Sequence, residues 1–305
     1  VRELGDDAIA QHHADGTLLD LPGIGPSTSK VIVIALDGGI DEYLVKLEAE
    51  TAIDEGEGAE LRAALKGDCH SHTLWSDGGA PTEVMARTAQ ALGHEYLVVT
   101  DHSPRLTIAH GLNRERLLQQ LDEIEALNEQ LAPFRILTGM EVDILEDGSL
   151  DQDLDLLERL DVVVASVHSK LRMPEQEMTR RMVMAVASPH VDILGHCTGR
   201  KVVGTGRPQS QFDPDIVFAA CARFGTAVEI NCRPERQDPP EELLQLALDW
   251  DCRISIDTDA HAPGQLEWQT YGCDKAAKMG IEPERIVNTM SADDLVAWTK
   301  THATA

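Results

Sequence analysis

Short runs rich in Val, Ile and Leu alternate with longer amphipathic segments about seven times between residues 67 and 300. The runs fall at 67–70, 96–100, 136–142, 162–167, 191–195, 226–231 and 253–257, and the helical patterns at 83–92, 115–131, 177–187, 214–224 and 241–250. Strand, helix, strand repeated in this way requires parallel pairing, because a helical crossover must carry the chain back before each new strand. A chain of this size favours a closed βα barrel over an open sheet. A doubly wound sheet has the same periodicity and remains the alternative at this point.

Composition changes near residue 60. Glu48, Glu50, Asp54, Glu55, Glu57 and Glu60 share a short stretch with Gly56, Gly58 and no base, which reads as an acidic linker or a loosely attached helix. Two domains are expected: a small helical segment over 1–60 and a barrel over 61–305. The 305 residues, 42% hydrophobic, suffice for a large core and exclude a disordered or fibrous chain. A formal charge of -27 disfavours a broad grip on DNA or anionic membranes. The apolar stretch 31–36 is too short to span a membrane, and no basic segment leads into an apolar one at the start, so a cytoplasmic protein is expected. Six cysteines without a CxxC pair fit reduced thiols.

The expected strand ends carry metal-binding side chains. They are His70 and His72, followed by Asp77; then Asp101-His102, Glu141, His168, His196 and Asp259-Ala260-His261. In parallel βα folds the site is built where strands end, so these residues should converge although they span almost 200 positions. His70 and His72, one residue apart on extended backbone, point to one side. Imidazole with carboxylate suits zinc, manganese or iron, and a Glu between two ions can bridge them. Six His and three acids exceed the needs of one ion, so two or three divalent metals are expected. His12, His13, His94, His110, His190 and His302 lack that placement and are read as structural. Asp101 and Asp257 are read as orienting partners of a histidine, with Asp257 an alternative to Asp259 as ligand. Cys69, Cys197 and Cys232 are expected to pack in the barrel wall.

The sequence resembles the PHP superfamily, named for polymerase and histidinol phosphatase, over about residues 66–300. The resemblance is carried by His70-Ser71-His72-Thr73, Ser76-Asp77-Gly78, Thr100-Asp101-His102-Ser103, Gly139-Met140-Glu141, Ser166-Val167-His168, His196-Cys197-Thr198-Gly199-Arg200 and Asp259-Ala260-His261. It is nearest to the C-terminal PHP domain of bacterial family X DNA polymerases, through the His196–Arg200 stretch, Glu229-Ile230-Asn231 and Tyr271-Gly272. The resemblance implies a distorted (βα)7 TIM-like barrel and phosphoester hydrolysis by a hydroxide between metals. It implies that His70, His72, Glu141 and Asp259 hold one ion, that Glu141 bridges to a second held by His168 and His196, and that Asp77, His102 and His261 hold a third. The front departs from that family, because 66 residues are too few for a nucleotidyl-transfer domain. Leu21-Pro22-Gly23-Ile24-Gly25 resembles a helix-hairpin-helix turn. Five bases against 14 acids over 1–66 make it a packing remnant rather than a DNA clamp.

Residues 168–236 hold ten bases against seven acids, which leaves -30 on the rest of the chain. Lys170, Arg200 and Arg233 follow strand ends and are expected to bind substrate phosphate, with Lys170 and Arg200 joining Glu141 and Asp259 as catalytic residues. Arg172, Arg180 and Arg181 are read as a solvated helix face. The expected substrate is a small phosphomonoester, a nucleotide or metabolite such as histidinol phosphate. The alternative is 3′ to 5′ exonuclease or DNA-end processing on a DNA 3′ end. No oligomeric state is read from the sequence.

Overall fold

A computed structural model describes residues 4–51 and 56–301. They fall into two compact units, within 1–54 and 55–305. The first holds α1 (Asp6–Ala14), α2 (Pro26–Leu36) and α3 (Ile40–Thr51). Pro26 opens α2 at its first turn, where its missing N–H costs nothing. Gly23 takes the left-handed φ of 79° that the preceding turn needs, and Ile24 N donates to Leu21 O. The hairpin-like segment is therefore a real turn into a helix. Asp54 and Glu55 of the acidic stretch, like His302, lie outside the described residues.

The second unit begins with α4 (Ala59–Ala64) and contains seven parallel strands: β1 (Gly67–Asp68), β2 (Tyr96–Val99), β3 (Arg135–Asp143), β4 (Val162–Ser166), β5 (Ile193–Leu194), β6 (Ala227–Asn231) and β7 (Ile254–Asp257). Neighbours in sequence are neighbours in the sheet, in the order β1 to β7. Between them run α5 (Thr82–Ala91), α6 (Arg114–Leu131), α7 (Leu154–Leu157), α8 (Glu175–Val186), α9 (Pro214–Phe224) and α10 (Glu241–Asp249), with α11 (Gln269–Lys278) and α12 (Ala292–Thr299) after β7. The ring nearly closes where Ser71 bridges Ala260 in parallel and His72 N donates to Ala260 O at 2.8 Å. This is a distorted (βα)7 barrel.

Alternation along the strands sorts the core. Leu97 and Val99 pack outward with Met85, Ala89 and Ile124 of α5 and α6, whereas Tyr96 and Val98 cluster with Leu137, Val162, Val164, Ile193 and Leu295. Cys69 is buried in the second of these clusters, and Cys197 and Cys232 are buried in the main apolar core. No described helix is long and apolar enough to cross a membrane.

Candidate metal centre

Pairing in two of the strands stops short of the ligand-type residues, whereas Glu141 lies within β3 and pairs with Val164 of β4. β1 pairs only through Gly67 and Asp68, and β5 only through Ile193 and Leu194, so His70, His72 and His196 stand on backbone released from the ladder. His196 and Asp259 have positive φ, 21° and 52°, a conformation that non-glycine residues hold only under surrounding constraint.

All nine side chains converge. His70 Nε2 and His72 Nε2 lie 3.3 and 3.5 Å from Glu141 Oε2, and 4.0 and 3.4 Å from Asp259 Oδ1. The other oxygen, Glu141 Oε1, is 3.1 Å from His168 Nε2 and 2.8 Å from His196 Nε2. Asp77 Oδ1 is 3.5 Å from His102 Nε2 and 3.4 Å from His261 Nε2. His72 also joins this last group, its ring centroid 4.4 Å from that of His102 and 4.1 Å from that of His261. Donors held about 2.0–2.2 Å from one ion sit roughly 3 to 3.5 Å from one another, which is the spacing of these groups.

The donor set passes a second test. His70 Nε2 and both nitrogens of His72 and His168 are buried without a hydrogen-bond partner among the described residues. Unpaired buried polar atoms are costly, and lone pairs aimed at a common point fit cations. Electrostatics agree. Burial opposes ionisation of Glu141, yet His168, His70 and His102 hold its carboxyl well below the usual range. Asp259 is likewise held low against burial, by His72, His70, Arg236 and Arg233. Asp77 is brought down to about 2 by His261 and His102 despite its burial. His196 is pushed down to about 4 by burial and by Arg236, which keeps it neutral near pH 7.

Several partners escape a reading of the sequence. Glu229 Oε1 lies 2.5 Å from His70 Nδ1, and its other oxygen accepts the His196 backbone N–H at 2.6 Å. Asn231 Nδ2 donates to Asp259 Oδ2 at 3.2 Å, and Gln265 Oε1 accepts the His261 N–H at 2.7 Å. Asp143 Oδ1 stands 3.4 Å from His168 Nδ1. Asp101 and Asp257 do not orient histidines. Asp101 accepts from Thr73, Ser76 and Gln120 and so fixes the loop that carries Asp77. Asp257 Oδ1 accepts from Cys69 N and Asn288 Nδ2, both at 2.8 Å, which ties β7 to β1.

The expected phosphate-binding cations are placed unequally. Arg233 Nη1 donates to His261 Nδ1 at 3.0 Å and to Asp259 Oδ1 at 3.4 Å, and its Nε donates to Glu235. Lys170 is exposed two residues past His168, in left-handed backbone with φ 54°. Arg200 turns from the ligands: Nε donates to Arg236 O at 3.1 Å and Nη2 to Gln237 O, beside a cavity of about 490 Å³ that it lines with Tyr271 and Lys275. Arg181 is buried rather than solvated, because its guanidinium donates to the carbonyls of Ile144 and Ser169 and braces the loops after β3 and β4.

A PHP domain model matches residues 68–201. A probable phosphatase of Acetivibrio thermocellus is 32% identical over 203 residues, 64% of this chain and 78% of the relative. The chain belongs to the PHP family. Another relative in which this PHP chain finds a match is the DNA polymerase/3′-5′ exonuclease PolX of Bacillus subtilis (strain 168), 40% identical over 253 residues, 83% of this chain. The chain spans 44% of that relative's length. A crystal structure of histidinol phosphate phosphatase from Lactococcus lactis, complexed with zinc, L-histidinol and phosphate, aligns with a TM-score of 0.47 at 18% identity, covering 70% of this chain and 93% of that one. Family, relatives and donor set agree on a metal-dependent phosphoesterase that binds divalent metal.

Proposed function

We propose that this PHP chain hydrolyses small phosphomonoesters, such as a nucleotide or a metabolite like histidinol phosphate, with two or three zinc, manganese or iron ions. The observation that carries the reading is Glu141, whose Oε1 faces His168 and His196 while its Oε2 faces His70 and His72, with His102 Nδ1 at 2.9 Å beside them. His70, His72, Glu141 and Asp259 would hold one ion, Glu141, His168 and His196 a second, and Asp77, His102 and His261 a third. Divalent cations held there supply acidified water and stabilise charge on phosphoryl oxygens. The chain's own residues do the rest. Glu141 and Asp259 stay ionised at neutral pH, neutral His196 offers a lone pair, and Glu229 turns His70 Nε2 inward. Arg233 lies beside Asp259 and His261, and exposed Lys170 can reach a phosphate at the mouth.

The confined cationic stretch in an otherwise acidic chain favours a compact ester over a long polyanion. The PolX relative favours a second reading, 3′ to 5′ removal of nucleotides from a DNA end. Metal-analysed protein assayed side by side on nucleoside monophosphates and on single-stranded DNA with a 3′ end decides between them. Inorganic phosphate released from the monophosphates at low protein concentration is expected. Mononucleotides released from DNA, with the monophosphates untouched, would overturn the ranking.

A further inference from the structure

The segment after His196 doubles back as a hairpin. Lys201 N donates to Arg207 O at 2.9 Å and Arg207 N to Lys201 O at 2.8 Å, an antiparallel pair. The tip turns through Gly204 and Gly206, with left-handed φ of 72° and 66°. Residues that exchange both hydrogen bonds across such a pair project their side chains to one face. Lys201 is exposed and Arg207 half-buried, so both cations meet solvent there. Like charges directly opposite destabilise a ladder. No acid relieves this pair among the described residues: Glu235 is taken by Arg233 at 2.9 Å, and Asp238 accepts from Thr198 Oγ1 at 2.5 Å. Arg207 Nε donates to Gly199 O at 2.6 Å, which fixes the stem of the side chain and leaves its terminal nitrogens free for a ligand.

The hairpin is held against the metal centre. Val202 N donates to Glu235 O at 2.7 Å, and Arg200 at its base donates to the carbonyls of Arg236 and Gln237. Arg236 Nε stands 3.3 Å from Asp259 Oδ2, and its charge reaches the hairpin. Partial burial and then Arg236, Arg207 and Arg233 hold the Lys201 ammonium below its ordinary range. Burial and then Arg236 do the same to Arg207. Arg233 and Arg236 already serve Asp259, so the hairpin cations are surplus to the metal centre. Surplus cations forced together in a chain of -27 mark a place for a second anion.

We infer that Lys201 and Arg207 form an anion site beside the metal centre that holds a second phosphate, carried on the leaving group, so that the preferred ester is a small bisphosphate. The inference rests on the phosphoesterase reading and names its substrate class. Phosphonates, which are not hydrolysed, separate binding from turnover. The metal-loaded full chain is titrated by calorimetry with hexylphosphonate and with hexane-1,6-diphosphonate, whose flexible spacer adapts to the distance between the sites. At low salt the diphosphonate should bind roughly 10-fold more tightly or better, against about twofold from its two equivalent ends alone. Lys201→Gln, and then Lys201→Gln together with Arg207→Gln, should bring that ratio stepwise toward two. A ratio near two in the wild type, or one that the double variant keeps, would overturn the assignment. So would variants that weaken binding of single-stranded DNA and leave the ratio intact, since the hairpin would then serve a strand. Phosphate release from hexyl phosphate and 1,6-hexanediol bisphosphate is measured separately. A wild type that shows the binding ratio but cleaves neither ester would sink the phosphoesterase reading and leave the second anion site standing.

Discussion

His70 presents Nδ1 to Glu229 at 2.5 Å, so only Nε2 is available toward Glu141 and Asp259. Burial disfavours a charged His70, but Glu229 and Glu141 together raise its pKa well above the usual value. Partners of this kind typically change metal affinity 10- to 100-fold when removed. Glu229→Gln is therefore expected to weaken metal binding by about that factor, measured by dialysis against buffered zinc. Wild-type affinity in that variant would show that His70 needs no carboxylate behind it. The nine converging residues were legible because His, Asp and Glu recur where apolar runs end. Glu229 and Asn231 were not, because an acid and an amide inside a run such as Ala227-Val228-Glu229-Ile230-Asn231 do not reveal which face meets the site.

At the scale of elements, the alternation predicted all seven strands but overstated the pairing of the first and fifth. The ladders of β1 and β5 end before His70, His72 and His196, whereas Glu141 stays paired within β3. The helices after β7 carry no comparable pattern: α11 packs on β7, and α12 sets Leu295 against Leu137, Val162 and Ile193. Within β3, Gly139 is required by close approach: a Cβ there would lie 2.8 Å from Val162 O and Val98 Cγ1 and 2.9 Å from Thr100 Cγ2. Gly139→Ala should cost about 1–3 kcal/mol in urea unfolding, and an unchanged midpoint would refute that packing. The entry to the barrel is also pH-sensitive. Arg62 Nη2 of α4 lies 3.3 Å from Leu92 O and from His94 Nε2. Burial and the Arg62 charge push His94 down to about 3. The unfolded chain takes up this proton near pH 6.5 and the folded chain only near 3, so the stability is whole above 6.5 and is lost as pH falls toward 3. His94→Gln should flatten the decline of Tm with acid across that window. An identical decline in both proteins would remove His94 as a cause.

For the whole molecule, an acidic chain carries a cluster of buried histidines and carboxylates in which several ring nitrogens lack a hydrogen-bond partner among the described residues. Such a site is stabilised by what it binds. Chelation should lower Tm, and restored metal should raise it with concentration, a hundredfold excess over Kd adding about 2.7 kcal/mol to the unfolding free energy. A metal-independent Tm would contradict the fit of the donor set. The joining of two histidine pairs by Glu141 is tested most directly by metal content and phosphomonoester turnover measured on the same samples of wild type and Glu141→Ala. Metal and turnover should be lost together in the variant, whereas full metal content with retained turnover would contradict the account.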